Sequence, residues 1–527
     1  MTGAPTELPL VVRARQFANR TATITPEGTF SYSDLLSASG RVARTLLRGD
    51  SDLQEARVAY LVPPGFHYVA VQWGVWRAGG VAVPLATSHP PKELSYVLDD
   101  ARPTSVVAHP EMLARIAPAV RERNLPLLRS DELVEGAPME AGIGPPKVVD
   151  ALPALPPGRR AMMLYTSGTT GRPKGVVTTH GNLQAQVTAL EEAWGWNSDD
   201  HILLVLPLHH VHGIVNVLTC ALWSGARCQI LPGFDPLETW RRIAVGDLTL
   251  FMAVPTIYSK LLRTWEAQPK DVRVRWTNGC RRMRLMVSGS AALPVSMLER
   301  WRNVTAHTLL ERYGMTEIGM ALSNSLDGTR RPGFVGRPLP GVEVRLVDED
   351  EREAPPGTPG EIHVRGPGVF LEYWERPSET EEAFHEGWFR TGDIAVVEDG
   401  DYRILGRRSV DIIKSGGYKV SALEVEEVLR GHPSVSECAV VAVPDPEWGE
   451  RVGVALVPSN SGTSDIGPAS QVDPVQLRGW AKERLAPYKV PTAFLIVSEL
   501  PRNAMGKVTK PDVARLFQRK DAPVKVL

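Results

Sequence analysis

The sequence is poor in cysteine, in long apolar runs and in any excess of one charge. Its 527 residues contain four cysteines and no C-x-x-C pair, which excludes a disulfide framework and a zinc knuckle. No apolar run approaches the roughly 20 residues that a membrane-spanning helix needs. With 59 basic and 60 acidic residues, no net charge favours nucleic acid or an anionic membrane as a partner. A bound anion must therefore be held by local groups.

The amino-terminal segment MTGAPTELPLVVRARQF has no long apolar stretch of the kind found in secretory signals. Together with the scattered cysteines, which fit a reducing compartment, this predicts a cytoplasmic protein. The alternative is the mitochondrial matrix, if the native chain starts upstream.

Helix and strand patterns alternate through the first 300 residues. Phe66–Arg77 is apolar at helical spacing, and Val81–Pro84 follows as a short strand pattern. Repetition of this order predicts parallel α/β layers. A stretch rich in Gly, Pro and Ala over residues 136–158 indicates a connection between subdomains.

The pattern changes after about Pro338. Short alternating runs at 342–347 and 361–365 predict strands, and Asp399-Gly400 predicts a hairpin turn. These features indicate a β-rich lobe.

Strand and amphipathic-helix patterns return from Ser409 onward and predict a small α+β unit. They include a helix over residues 422–431 and two strands at 439–443 and 451–457, with a polar loop at 458–474 tolerated inside the unit.

A glycine- and hydroxyl-rich loop follows the apolar strand pattern at 161–165. It reads Tyr165-Thr166-Ser167-Gly168-Thr169-Thr170-Gly171-Arg172-Pro173-Lys174-Gly175. Glycines let backbone N–H groups approach phosphate oxygens, the hydroxyls add donors, and the lysine adds a charge. The loop is not the G-x-x-x-x-G-K-[ST] motif, because Lys174 precedes a glycine. An ordinary polar loop is the alternative, but it does not explain the ordered cluster.

This loop and four later strings, in the same order, resemble the motifs of the adenylate-forming superfamily, which includes acyl-CoA synthetases, peptide-synthetase adenylation domains and firefly luciferase. The later strings are YGMTE at 313–317, WFRTGD at 388–393, the stretch 406–417 and PRNAMGK at 501–507. Within the superfamily, PLHHVHG at 207–213, MVSGSAALP at 286–294 and ERYGMTE at 311–317 are similar to strings of malonyl-CoA synthetases (malonate–CoA ligases).

The resemblance implies an α/β fold with a large N-terminal domain, residues 1–408, made of layered α/β subdomains and the β-rich lobe. A small mobile α+β C-terminal domain, residues 409–527, would follow. The implied activity converts malonate, ATP and coenzyme A to malonyl-CoA, AMP and pyrophosphate through a malonyl-adenylate, with Mg²⁺ and with methylmalonate as a second substrate. The alternatives are a ligase for another short carboxylic acid, acyl loading of a separate carrier protein, and a nucleotide-binding regulatory protein. The oligomeric state stays open.

The resemblance also assigns roles to residues. Thr316 would bond the α-phosphate, Glu317 would hold Mg²⁺, and Lys507 would be the catalytic lysine that bridges the carboxylate and the α-phosphate. The remaining ATP-binding residues would be Thr166, Ser167, Gly168, Thr169, Thr170, Gly171, Arg172, Pro173 and Lys174 for the β- and γ-phosphates, Gly289, Ser290, Ala291 and Tyr313 for adenine, and Asp393 and Arg407 for ribose.

Arg312 is the residue most informative about the acid. Many acyl-CoA synthetases have glycine at this place before the Tyr-Gly-x-Thr-Glu string, and a guanidinium in an acyl pocket needs an anion, which a second substrate carboxylate would supply. Ser288 and His210 are candidate donors in the same pocket, and Met315 would limit its volume. The alternative is an ion pair between Arg312 and an acidic side chain of the protein.

The stretch 406–417 is where the resemblance implies a hinge, at Arg408 or Ser409. The following Lys414, Gly416, Gly417 and Tyr418 would line the tunnel for the pantetheine arm of coenzyme A, since glycine permits close approach to the backbone. A plain β-turn is the alternative for the glycine pair.

Overall fold

The computed structural model describes residues 6–136, 151–166, 173–416, 418–446, 448–459, 472–502, 507–519 and 522–527. Up to residue 323 the strands are β1 (Thr21–Thr25), β2 (Gly28–Ser31), β3 (Arg57–Leu61), β4 (Val81–Pro84), β5 (Ser105–Ala108), β6 (Leu127–Arg129), β7 (Arg160–Thr166), β8 (Lys174–Thr179), β9 (His201–Leu204), β10 (Arg227–Ile230), β11 (Leu250–Ala253), β12 (Leu285–Ser288), β13 (Leu310–Met315) and β14 (Gly319–Ser323).

The later strands are β15 (Arg337–Pro338), β16 (Glu343–Val347), β17 (Gly360–Arg365), β18 (Glu372–Tyr373), β19 (Phe384–His385), β20 (Trp388–Glu398), β21 (Asp401–Arg407), β22 (Ile412–Ser415), β23 (Tyr418–Ser421), β24 (Val435–Asp445), β25 (Gly449–Pro458), β26 (Ala493–Ile496) and β27 (Lys525–Val526).

The α-helices are α1 (Pro9–Gln16), α2 (Tyr32–Leu47), α3 (Phe66–Arg77), α4 (Pro91–Ala101), α5 (Leu113–Glu122), α6 (Ser130–Glu135), α7 (His180–Trp194), α8 (Cys220–Trp223), α9 (Pro236–Val245), α10 (Pro255–Glu266), α11 (Lys270–Arg281), α12 (Val295–Thr305), α13 (Pro377–Ala383), α14 (Ala422–Arg430), α15 (Pro474–Lys482) and α16 (Lys510–Phe517). Two short 3₁₀ helices cover Pro110–Met112 and Pro487–Lys489, and His212–Thr219 is π-helical.

The strands of the first 323 residues belong to two sheets with parallel centres, as the alternating patterns predict, and β15 and β18 add one later strand to each. One has the order β15-β14-β13-β12-β11-β9-β10-β1-β2, and the other has the order β18-β8-β7-β4-β3-β5-β6. Their central strands are mainly apolar and, apart from the half-buried Arg57 at the start of β3, buried, which is typical of strands covered by helices on both faces. The helix at Phe66–Arg77 and the strand Val81–Pro84 are confirmed.

Side-chain caps define where several helices begin. Ser31 accepts from the backbone N–H of Asp34, whose carboxylate accepts in return from the backbone of Ser31. Thr179 and Asn182 make the same reciprocal pair at the start of α7. Each cap satisfies two donors that would otherwise lack a partner at a helix end.

The predicted β-rich lobe is confirmed as an antiparallel sheet of β16, β17, β19, β20 and β21. Asp399 and Gly400 join β20 to β21, both with positive φ, as a two-residue hairpin turn requires. One strand of this region leaves the lobe, because β18 pairs with β8 in the seven-stranded sheet. A two-residue strand carries no periodicity, so no sequence pattern predicts this pairing.

The last six strands, β22 to β27, form a sheet of their own. The predicted helix is α14, and the predicted strand pair is the antiparallel β24–β25 pair. The molecule is therefore the predicted mixed α/β protein with a large N-terminal and a small C-terminal domain. In the described part of the chain, no helix is both long enough and apolar enough to cross a bilayer. All four cysteines are buried.

Candidate active site

A cavity of about 1020 Å³ opens where the parallel strands of both large sheets end. Its wall includes residues 205–213 after β9, 231–234 after β10, 254–257 after β11, and Ser290 and Ala291 after β12. Ligands bind in α/β sheets at the carboxyl ends of strands, because side chains and backbone N–H groups from several connections converge there. Lys507 and Ser409 from the C-terminal part complete the wall.

Asp393 brings two of the predicted nucleotide residues together beside the cavity. Its carboxylate accepts from the Tyr313 hydroxyl at 2.6 Å and from Arg407 Nε at 3.1 Å. The β20–β21 hairpin accounts for the second contact, since Asp393 and Arg407 are directly paired across it. Burial and the Asp393 charge raise the pKa of Tyr313, so the phenol stays a hydrogen-bond donor.

Glu317 lies in the turn between β13 and β14, and its carboxylate is buried in the cavity wall. Its Oε1 accepts from the Tyr373 hydroxyl at 3.0 Å. Burial raises the pKa of Glu317, although Arg407 acts in the opposite direction. Thr316 lines the cavity next to it.

Lys174 begins β8 and also lines the cavity. Its ammonium pairs with Glu379 on α13 and lies 5.1 Å from the centre of the Tyr373 ring. The predicted loop residues Ser167 to Arg172 lie outside the described residues. Thr166 lines the cavity at the end of β7.

Arg312 lies on β13 with its side chain buried and its guanidinium at the cavity. Its Nη2 donates to Ser290 Oγ at 3.4 Å, while its buried Nε has no partner. Within the described ranges, Arg312 has no carboxylate within 4 Å, so the alternative of an internal ion pair gains no support. Burial lowers its pKa to about 9. A Cβ at position 289 would lie 2.5 Å from this guanidinium, so Gly289 makes the room for it.

Three histidines follow β9 along the same wall. His212 Nδ1 lies 3.2 Å from Ser290 Oγ, and the buried Nε2 atoms of His210 and His212 have no partner. Burial and nearby positive charge lower the pKa of His210 to about 4 and that of His212 well below its usual value. All of these imidazoles are therefore neutral near pH 7, including His209, whose pKa burial also lowers. In the described part of the chain, no group of three or more histidine, cysteine or acidic side chains could hold a metal ion.

Lys507 reaches this cavity from the C-terminal part of the chain. The side chain lines the cavity, where desolvation and the positive charges of Arg312 and Arg407 lower its pKa. Lys507, Arg312, Thr316 and Glu317 thus share one cavity although 190 or more residues separate the lysine from the others.

The predicted hinge pair also lines the cavity. Arg408 Nη1 lies 3.2 Å from Glu361 Oε2, and the other oxygen of this buried carboxylate accepts from the Gly392 backbone at 3.1 Å. Glu361 therefore ties Arg408 to the strand that carries Asp393. Ser409 is exposed next to it.

The predicted CoA residues lie elsewhere. Lys414, Gly416 and Tyr418 belong to the β22–β23 hairpin and are absent from the described cavity wall; Gly417 lies outside the described residues. The Tyr418 ring stacks on Tyr488 at 4.3 Å, and the Trp448 ring covers Gly416.

Of the other residues predicted for the acyl pocket, two line the cavity and one does not. His210 and Met315 line the cavity. Ser288 is fully buried at the end of β12, its hydroxyl has no partner, and it is not part of the described cavity wall.

Sequence reasoning missed Tyr373, Glu379 and Glu361. Tyr373 and Glu379 lie in a segment where charged and aromatic residues stand beside prolines, a pattern that usually marks a solvated surface. Glu361 begins the run 361–365, whose alternation predicts a strand but no functional role. The position of Tyr373 depends on the unpredicted strand β18, so its contact with Glu317 had no local signal.

A family model described as AMP-binding enzyme matches residues 10–374, and one described as AMP-binding enzyme C-terminal domain matches residues 424–507. The chain is 47% identical over 538 residues to the mitochondrial malonate–CoA ligase ACSF3 of Bos taurus, covering 96% of this chain and 90% of the relative.

Two solved structures are also similar. ATP-bound MatB from Rhodopseudomonas palustris has 33% identity and a TM-score of 0.85, covering 97% of this chain and 99% of the other. A malonyl-CoA ligase ternary product complex with methylmalonyl-CoA and AMP has 37% identity and a TM-score of 0.65, covering 94% and 100%.

Proposed function

The chain belongs to the AMP-binding enzyme family, and we propose that within this family it is an ATP-dependent malonate–CoA ligase. It is an acid–thiol ligase, with ATP and coenzyme A as co-substrates and Mg²⁺ as the metal. The products are malonyl-CoA, AMP and pyrophosphate.

The buried guanidinium of Arg312 carries the assignment of the acid. A buried arginine without a carboxylate partner is costly, and a planar carboxylate accepts two of its N–H groups at once. Malonate offers one carboxylate for Arg312 and a second for activation. Methylmalonate has the same two groups, and one similar ligase is named as a methylmalonyl-CoA complex. A monocarboxylate would leave Arg312 unpaired.

The surroundings of Glu317 fit Mg²⁺. Its carboxylate is buried at the cavity, accepts from the Tyr373 hydroxyl, and within the described ranges has no cation within 4 Å. Mg²⁺ is commonly bound by one or two carboxylates together with substrate phosphates, so Glu317 would hold it. When bound, the metal screens the charge of the phosphate oxygens.

In the first half-reaction an oxygen of the free carboxylate attacks the α-phosphorus, and pyrophosphate leaves. Both reactants are anions, so the residues act by positioning and by charge. Lys507 would lie between the carboxylate and the α-phosphate, Thr316 would donate to the α-phosphate, and Asp393 would accept from the ribose hydroxyls. The two oxygens of Asp393 have lone pairs for these hydroxyls beside the Tyr313 and Arg407 contacts.

In the second half-reaction the sulfur of coenzyme A attacks the acyl carbon, the thiol proton is lost, and AMP leaves. We propose that residues 409–527 rotate about Arg408 and Ser409 between the two steps and bring Lys414, Gly416, Gly417 and Tyr418 to the pantetheine arm. Two similar structures support two arrangements of the domains. The product complex has the higher sequence identity to this chain but the lower TM-score, and the ATP-bound MatB has the lower identity but the higher TM-score.

Small molecules are the partners that this activity requires. We propose a cytoplasmic location, with the mitochondrial matrix as the alternative that the name of the bovine relative supports.

The test is pyrophosphate release by the full chain with ATP, Mg²⁺ and coenzyme A. Malonate, methylmalonate, succinate, acetate and butyrate are compared for the wild type and Arg312→Ala. We expect malonate to be preferred, and the variant to lose roughly 30- to several-thousand-fold in kcat/KM for malonate, because a desolvated charge pair contributes about 2–5 kcal/mol.

Acetate provides the internal control, since its activation does not use Arg312 and shows that the variant is folded. Arg302, an exposed arginine on α12, provides the matched control, and Arg302→Ala should leave kcat/KM unchanged for both malonate and acetate. Wild-type preference for a monocarboxylate would overturn the assignment of malonate while leaving the ligase activity.

A further inference from the structure

Glu379 is an acidic residue at a site that must bind pyrophosphate. It lies on α13, and its carboxylate pairs with the ammonium of Lys174. The two side chains are 37% and 17% exposed, so the pair is partly withdrawn from water at the cavity edge. The residue proposed to offer a positive charge to the phosphates is thus paired with a carboxylate of the protein itself.

The backbone around Lys174 is fixed, so only its side chain is free to change partner. Lys174 pairs with Thr166 across the β7–β8 ladder, and the carbonyl of Pro173 accepts from the Tyr96 hydroxyl at 2.7 Å. The Tyr373 ring lies beneath the ammonium at 5.1 Å and limits where it can go. A phosphate must therefore compete with Glu379 for the same ammonium.

A second cation, the guanidinium of Arg376, lies near Glu379. Arg376 Nε lies 3.8 Å from Glu379 Oε1, and the same guanidinium is held by Asp100 at 2.7 Å. When Lys174 turns to a phosphate, the Glu379 carboxylate keeps a positively charged neighbour. The exchange does not leave an isolated charge behind.

We propose that Glu379 is a positioning residue, and that its carboxylate and the leaving pyrophosphate pair in turn with the ammonium of Lys174. It holds the ammonium in the absence of phosphate and takes it back when pyrophosphate departs, which weakens binding of this product and favours its release. This inference rests on the proposed use of ATP and goes beyond it, because it assigns product release to a residue on α13.

The Lys174–Glu379 pair is also linked, through Tyr373, to Glu317, the residue proposed to hold Mg²⁺. The Tyr373 ring lies under Lys174, and its hydroxyl donates to Glu317 at 3.0 Å. Movement of Lys174 between Glu379 and a phosphate takes place on the ring that orients Glu317. Lys174, Glu379, Tyr373 and Glu317 form one contiguous group.

The experiment measures the Kd of inorganic pyrophosphate and of AMP for the full chain by calorimetry in the presence of Mg²⁺. The variants are Glu379→Gln and the matched control Glu381→Gln, which removes the same charge from an exposed position on the same helix. We expect Glu379→Gln to bind pyrophosphate about 2- to 5-fold more tightly, the range of a partly exposed ion pair. AMP, which lacks the β- and γ-phosphates, should bind unchanged, and so should both ligands to Glu381→Gln.

A Lys174→Met background separates exchange from simple repulsion between Glu379 and the phosphates. If Glu379 acts through Lys174, the gain from Glu379→Gln disappears in Lys174→Met. An equal gain in both backgrounds, an equal gain in Glu381→Gln, or no gain at all would overturn the proposal. Failure of the malonate assignment would look different, because the wild type would still bind AMP and pyrophosphate but would prefer another acid in the pyrophosphate-release assay. Only failure of ATP use itself would abolish binding of both ligands to the wild type.

Discussion

The cavity and the β22–β23 hairpin contrast sharply. The residues predicted for adenylation, Lys507, Arg312, Thr316 and Glu317, converge on one cavity from distant parts of the chain. The residues predicted for the pantetheine arm lie on a hairpin outside it, where Tyr418 is 54% exposed. With the roles proposed above, this arrangement of the C-terminal domain presents the groups of the first half-reaction alone, and the two half-reactions should respond to different substitutions.

The largest expected effect is on adenylation, after substitution of Lys507 in the cavity. Lys507→Ala removes the charge that we propose to lie beside the reacting phosphate, and such a loss typically costs about 10²–10³ in rate. We expect adenylation, followed by pyrophosphate release, to fall by that factor while thioester formation from supplied malonyl-adenylate is spared. Lys482→Ala, an exposed lysine on α15, should leave both rates unchanged. Equal loss of both half-reactions would contradict the division of roles.

The converse substitution is Gly416→Ala on the hairpin. Gly416 has φ +55°, and a Cβ there would lie 2.6 Å from the Trp448 ring, so the hairpin must shift. We expect thioester formation from supplied malonyl-adenylate to fall about tenfold, from roughly 1–2 kcal/mol of strain, while pyrophosphate release in the first half-reaction is retained.

Gly387→Ala is the matched control, because Gly387 also has a positive φ of +79° but an added Cβ would meet no atom within 4 Å. Loss of adenylation in Gly416→Ala would show that the hairpin serves the first step as well.

The smallest effect is a difference in pH dependence between the two half-reactions. The pKa of Lys507 is lowered from 10.5 by burial and by Arg312 and Arg407. The protonated lysine is the useful form, so kcat/KM for adenylation should fall as the pH rises through a value below 10.5, whereas thioester formation should show no such fall.

Lys507→Arg checks the assignment, since a guanidinium stays protonated over this range and its residual adenylation should lack the alkaline fall. If the fall persists in Lys507→Arg, a group other than Lys507 titrates.

Much of the fold could be predicted because its signals are local. Asp399 and Gly400 specify their turn by backbone preference, and the helix at Phe66–Arg77 and the strand after it follow from periodicity. The short pairing of β18 with β8 could not, because two residues have no period and the partner lies about 200 residues earlier.

The candidate site, like the fold, could be predicted only in part. Motif order led to Lys507, Thr316 and Glu317, which the structure brings to one cavity. The Lys174–Glu379 and Glu361–Arg408 pairs join residues that only the folded chain brings together, and no spacing rule indicates them. The sequence also could not tell that Ser288 is fully enclosed at the end of its strand.

The burial of all four cysteines has a consequence for an enzyme whose co-substrate is itself a thiol. Burial raises the pKa of each protein thiol, that of Cys438 to about 12, so essentially none is ionised near neutral pH. The thiolate is the species that undergoes disulfide exchange and alkylation. The folded protein should therefore neither form mixed disulfides with oxidised coenzyme A nor consume a thiol-specific dye, and such a dye would count the free coenzyme alone.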